Sequence, residues 1–151
     1  MTGLNGNVFP SQHSMKIRTY SDGGARGNPG PGAIGVVICS PQDKILFQHR
    51  DLIGESTNNI AEYCALIAAL ALAKELGASK VESFLDSELV VRQLEGSYKV
   101  KSEQMKQLVS EVRKLQREFE KVSYHHVPRT HSRLRQADHL VNEALDGAEA
   151  P

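Results

Sequence analysis

The sequence predicts an α/β domain built on one five-stranded mixed sheet flanked by helices. Three observations carry that expectation. Three apolar, β-branched runs separated by turn residues fill the first third of the chain. An alanine- and leucine-rich helical segment follows them. Two further short apolar runs then alternate with helical segments, giving the order βββαβααβα. A three-strand antiparallel meander feeding helix-connected strands implies one mixed sheet with helices on its faces.

Each element has its own signal. Ile17 to Tyr20 alternates with Lys16 and Arg18 ahead of Ser21 and Asp22, which reads as a strand. The run GGARGNPGPG, residues 23–32, must turn. Ile34 to Cys39 is a second strand, Pro41–Gln42–Asp43 a hairpin turn, and Lys44 to Leu52 the returning third strand. Thr57 or Asn58 can cap a helix from Ile60 to Leu76, with Gly77 where a helix end favours glycine. Val81 to Leu85 is a short strand ending at Asp86. A helix from Ser87 to Leu94 follows and is closed by Gly96. Ser102 caps a longer helix whose Met105, Leu108, Val112, Leu115 and Phe119 form an amphipathic stripe. Val122 to Val127 is the fifth strand, residues 128–135 a basic loop, and Gln136 to Leu145 the last helix, with Gly147 beyond it.

The 151 residues fit one domain, expected over 15–147. Residues 1–14 read as a flexible N-terminal extension ahead of Met15, and 148–151 as a C-terminal tail. They lack the charged-then-apolar order of a signal peptide, and no stretch approaches the length of a membrane span. Cys39 and Cys64 lie in apolar segments without metal-type spacing, as buried thiols of a reducing compartment would. A cytoplasmic location is therefore expected and, with no spare apolar stripe in the sequence, a monomer. The 18 basic and 18 acidic residues cancel, so any contact with nucleic acid must rely on a local patch and be salt-sensitive.

Four carboxylates occupy telling places. Asp22 and Asp86 stand at expected strand exits, and Glu62 and Asp138 in the first turns of expected helices. Alone, each has a structural explanation: a turn former, an N-cap, or an acid placed for the helix dipole. If they converge at one end of the sheet, their charges repel unless cations join them. Oxygen-only ligands select Mg²⁺ or Mn²⁺, and a pair of such ions suits attack on a phosphodiester.

Two rival motifs are weaker. GPGAIG, residues 30–35, matches a dinucleotide fingerprint, but that motif needs a helix next, and Ile34, Val36, Val37 and Ile38 favour a strand. His125, His126, His131 and His139 could suggest zinc, but no cysteine lies near and no familiar ligand spacing occurs.

YSDGGARGNPGPGAIG (20–35), STNNIAEY (56–63), FLDSELVV (84–91) and VPR…ADHLVNEALD (127–146) together resemble the type 1 ribonucleases H, over essentially all of residues 16–146. The resemblance is to compact prokaryotic members, because GSYKVK (96–101) makes a short connection where others insert a basic protrusion. It implies a ribonuclease H-like fold and two-metal hydrolysis of the RNA strand of an RNA–DNA hybrid, leaving 5′-phosphate and 3′-hydroxyl ends. It places Asp22, Glu62, Asp86 and Asp138 as metal ligands for two Mg²⁺ or Mn²⁺ ions. It places Gly23, Gly24, Asn28, Asn58 and Asn59 against substrate, and His131 in proton transfer or product release; the positive charge of Arg129, Arg133 and Arg135 beside the carboxylates suits them to guide a substrate phosphate. Small glycines permit close approach of a strand, and asparagine amides suit a 2′-hydroxyl.

Two departures stand out. Glu88 occupies a place where many relatives carry an amide. The loop PRTHSRLRQ (128–136), with Arg129, Arg133 and Arg135, is longer than in the tightest compact members. Two other readings use the same residues: a noncatalytic nucleic-acid-binding module, and a nuclease acting on double-stranded RNA.

Overall fold

The computed structural model describes residues 15–149. The expected extension, residues 1–14, and the last two residues of the expected tail lie outside them. The elements are β1 (Lys16–Ala25), β2 (Gly30–Cys39), β3 (Ile45–Ser56), α1 (Asn58–Glu75), β4 (Lys80–Leu85), α2 (Glu88–Glu95), α3 (Glu103–Gln116), β5 (Lys121–His126) and α4 (Ser132–Glu149). The sheet order is β3-β2-β1-β4-β5. The β1–β2 and β2–β3 pairs are antiparallel, whereas β1–β4 and β4–β5 are parallel. Among the described residues no helix is long and apolar enough to cross a membrane.

The expected order of elements holds, and their edges move. β1 runs on through Asp22, Gly23 and Gly24 to Ala25, paired with β2 as far as Ala25↔Gly32. The glycine run is thus mostly strand, and only residues 26–29 turn. Gly30 to Gly35 lies in β2, with no helix to meet a pyrophosphate. β3 extends to Ser56. The α1 cap is Thr57, whose hydroxyl accepts the Ile60 N–H at 3.3 Å. Ser87 and Ser102 cap α2 and α3 in the same way. Gly77 and Gly96 follow α1 and α2 with φ of +87° and +88°, the left-handed geometry that glycine tolerates.

α4 differs most from expectation. It starts at Ser132, four residues early, and passes through Gly147 to Glu149. Arg133 explains the early start. Its guanidinium donates to the Asp43 carboxylate at 3.0 Å and to the Asp43 carbonyl at 2.6 Å, tying the first turn of α4 to the β2–β3 turn. A third bond, to Gln136 Oε1 at 2.8 Å, lies within the helix. That tie accompanies the winding of residues 132–135 of the expected loop into helix; at the far end α4 runs on to Glu149, which pairs with Arg26.

The sheet separates two cores. Ile17, Val36, Ile38, Val81 and Leu85 pack against Tyr63, Leu66 and Leu70 of α1, Val90 of α2 and Val112 of α3. Tyr20, Val37 and Cys39 pack against Leu134 and Ala137 of α4. Alternation along β1 and β2 sends successive side chains to opposite faces. Burying each large apolar side chain contributes about 1.5–3 kcal/mol. Cys39 is buried and Cys64 half-buried, and the two are not bonded.

Candidate metal centre

β4 stops at Leu85, and its last pairing to β1 is Tyr20↔Phe84. Beyond that point β1 has no parallel neighbour, and a notch opens beside Ser21 to Ala25. Asp86, the first residue after β4, enters this notch. Asp22 therefore stands within β1, two residues past the last parallel pairing, rather than at a strand exit.

Two glycines bring the helices in. A Cβ on Gly23 would overlap the Ala61 carbonyl of α1, and one on Gly35 the Ala137 carbonyl of α4. Gly35 pairs with Asp22, and Gly23 with the adjacent Ile34. Both helices thus touch the sheet at the level of Asp22, α1 on one face and α4 on the other. Glu62 and Asp138, each next to a touching residue, are delivered there. Both sit in the second turn of their helix, not in the first as the sequence suggested.

Asp22, Glu62 and Asp86 each place a carboxylate oxygen within 4.8 Å of the others. Asp22 and Glu62 are both 8% exposed. Glu62 Oε1 accepts the Gly23 N–H at 2.8 Å, which fixes the carboxylate against β1. Burial, followed by the charges of Asp86 and Asp138, pushes Asp22 up to about 8. Burial and the charges of Asp22 and Asp86 also raise Glu62 well above the usual carboxylate range. Asp138 is exposed on α4 and borders the same cavity, about 280 Å³, that Asp22 and Glu62 line. Its Oδ2 accepts from Asn142 Nδ2 at 3.4 Å.

This donor set fits divalent cations. The ligating atoms are all oxygens, and repulsion among them is unrelieved by any buried cation. The nearest positive group, Arg129, reaches Asp86 Oδ2 at 3.5 Å but is 85% exposed.

The other expected site residues divide. Arg129 borders the cavities over the carboxylates, as does Gly24. Gly23 is buried, its missing side chain admits α1, and it lines the same cavity as Asp22 and Glu62. Asn28 and Asn58 spend their carbonyl oxygens inside the protein. Asn28 Oδ1 accepts the Asn58 N–H and Asn58 Oδ1 accepts the Ala25 N–H, each at 3.0 Å. That leaves their NH₂ groups to face outward, beside exposed Asn59. His131 is not brought to the carboxylates. Its ring stacks on Tyr20 with centroids 5.3 Å apart, and its Nδ1 accepts the Arg133 N–H at 3.2 Å. Glu88 turns along α2 to Arg92 at 3.4 Å, so it does not oppose a ligand at the notch. Two residues escaped the sequence reading. Asn142 had a signal, its position one turn after Asp138. Arg26, paired with Asp146 at 2.7 Å and Glu149 at 2.9 Å, had none.

Comparison with known proteins agrees with this geometry. Residues 20–144 match a family described as reverse transcriptase-like. The chain is 42% identical over 141 residues to a ribonuclease HI of Halobacterium salinarum, covering 93% of this chain and 70% of that protein. It is 41% identical over 135 residues to a bifunctional protein of Mycobacterium tuberculosis, covering 89% of this chain. It spans only 36% of that mycobacterial relative. The LC11 ribonuclease H1, solved in complex with an RNA/DNA hybrid, superposes with a TM-score of 0.83 at 42% identity, over 89% of this chain and 99% of that one.

Proposed function

The chain belongs to the reverse transcriptase-like, ribonuclease H family, and from that premise we propose that it hydrolyses the RNA strand of RNA–DNA hybrids by a two-metal-ion mechanism. The products would carry 5′-phosphate and 3′-hydroxyl ends. The observation that carries this reading is the meeting of Asp22, Glu62 and Asp86 within 4.8 Å, with Asp138 at the rim of the same cavity. These four residues would hold Mg²⁺ or Mn²⁺. Bound there, divalent cations neutralise an anionic phosphodiester and lower the pKa of a water molecule.

The protein's own residues prepare the site. The Gly23 N–H orients Glu62 before any cation arrives, which reduces reorganisation during reaction. Arg129, exposed and only loosely paired with Asp86, can exchange that carboxylate for a substrate phosphate once cations take its place. The outward NH₂ groups of Asn28 and Asn58, with Asn59, can donate to sugar hydroxyls and base edges. Proton transfer by His131 requires its loop to swing the ring off Tyr20. A noncatalytic binding module is disfavoured, since burying mutually repelling carboxylates costs stability and serves no purpose without cations.

The test is cleavage of an end-labelled hybrid in Mg²⁺ or Mn²⁺, beside double-stranded RNA and DNA. Cation-dependent cutting of hybrid RNA, abolished by Asp86→Asn, is expected. A folded wild type that cuts nothing with either cation leaves only the binding module. Cutting of double-stranded RNA at the hybrid rate would replace the substrate assignment.

A further inference from the structure

The chain's neutral balance demands a local basic patch for polyanion binding, and at the carboxylate end the exposed positive charge is that of Arg129 and Arg135. Arg26 is held by Asp146 and Glu149, and Arg133 by Asp43. A second group of positive charges gathers at the other end of the sheet. There β1, β4 and β5 begin abreast, with Lys16 paired to Lys80 and Lys80 to Lys121. Adjacent strands lie about 4.8 Å apart, so three ammonium groups rise side by side from one face. Like charges facing across strands are destabilising. The next row adds Arg18, Glu82 and Ser123.

The acids here only partly compensate. Glu82 is engaged by Arg18 at 3.3 Å, and Glu120 stands 3.7 Å from Lys80. Among the described residues, Lys16 and Lys121 form no ion pair. Lys16, Arg18 and Tyr20 share the sheet face on which α4 packs. The first turn of α4 reaches Tyr20 through Leu134 and goes no further. What remains is a shallow cavity of about 260 Å³, walled by the three lysines, Arg18, Glu82 and Ser123. Ile17, Pro41 and Val81 also line it, so it is the row of lysine charge that favours a polyanion.

We infer that this lysine row is a second polyanion-binding surface, which takes the phosphodiester backbone of a single-stranded segment extending from the hybrid. The inference rests on the hybrid-cleaving reading of the carboxylate end. Lys16 and Asp22 are six residues apart on one strand, about 20 Å at 3.3 Å per residue. About six nucleotides would cover that distance at 3.4 Å each. A tail longer than that, allowing for its path around the surface, can engage both sites at once.

The experiment compares a short blunt hybrid with the same hybrid carrying a single-stranded RNA tail of about 15 nucleotides. Binding is followed by fluorescence anisotropy in EDTA over a salt series, for the wild type and for the combined Lys16→Gln, Lys80→Gln, Lys121→Gln variant. The wild type should bind the tailed hybrid about tenfold more tightly at low salt. The variant should lose that advantage, and its salt slope on the tailed hybrid should fall by about 2, near 0.7 for each of three phosphates. Binding and cleavage of the blunt hybrid should not change, and thermal melting should show the variant folded. If the wild type cuts blunt hybrid but gains nothing from the tail, or the variant keeps the gain, the inference fails alone. Loss of binding to vesicles rich in anionic lipid, with tail binding intact, would reassign the row to a membrane surface. If wild type neither binds nor cuts blunt hybrid, the reading of the carboxylate end fails instead.

Discussion

α1 and α4 reach the sheet by the same device and deliver carboxylates into opposite environments. Each helix sets a backbone carbonyl where a glycine, Gly23 or Gly35, leaves no Cβ. α1 is apolar around much of its circumference and largely buried, so Glu62 arrives in the interior and is fastened by the Gly23 N–H. α4 buries only Leu134, Ala137, Val141 and Leu145, one stripe of an amphipathic helix. Asp138 therefore stands in solvent beside Asn142. A buried, pre-oriented ligand holds its place without a cation, whereas an exposed one can move as the reaction proceeds. The same close approach thus yields one fixed carboxylate and one adjustable carboxylate.

The sharpest way to break this comparison is to neutralise each acid. Glu62→Gln removes a fixed ligand from the buried trio, and hybrid cleavage should fall by about a thousandfold, the several kcal/mol that cation stabilisation supplies. Asp138→Asn keeps the trio and should cost about ten- to a hundredfold, recovered in part at higher Mn²⁺. Equal losses in single-turnover assays would erase the distinction between fixed and adjustable ligands.

The glycines test the shared device at a smaller scale. Gly23→Ala and Gly35→Ala should each destabilise by about 1–3 kcal/mol, because overpacking shifts a helix backbone that cannot yield cheaply. Gly24→Ala is the control: the nearest atoms to its Cβ are 3.9 Å away. Chemical denaturation that ranks Gly24→Ala with the other two would show that the close approach is not what these positions need.

The smallest expected effect is a pH dependence confined to the cation-free protein. Asp22 is held at about 8, above its ordinary value of 3.8, so the folded state binds its proton more tightly than the unfolded state does. That contribution to stability is full below about pH 4 and is lost as pH rises through about 8. In EDTA the melting temperature should fall by a few degrees between pH 5 and pH 8.5, and Asp22→Asn should flatten the slope. Mg²⁺ or Mn²⁺ should raise the melting temperature more at pH 8.5 than at pH 5. A wild-type profile in EDTA that matches Asp22→Asn would mean that the cluster carries little strain.

The sequence by itself determined the kinds and order of the elements, since strand alternation, helix periodicity and caps such as Thr57, Ser87 and Ser102 act within a few residues. It also determined the candidate carboxylates, because oxygen ligands at segment ends are visible as residue types. Tertiary structure alone decided how those residues are used. Gly23 to Glu62 spans 39 residues, and Arg133 to Asp43 spans 90. No local pattern encodes such contacts. Gly23, expected against substrate, also proved to be where α1 closes on the sheet. Asn28 and Asn58, expected against substrate, also proved to brace the turn at residues 26–29. The second half of the basic loop, residues 132–135, is wound into α4, where Arg133 reaches Asp43. Propensity acts along the chain, whereas burial and close approach act between segments that only the finished sheet brings together.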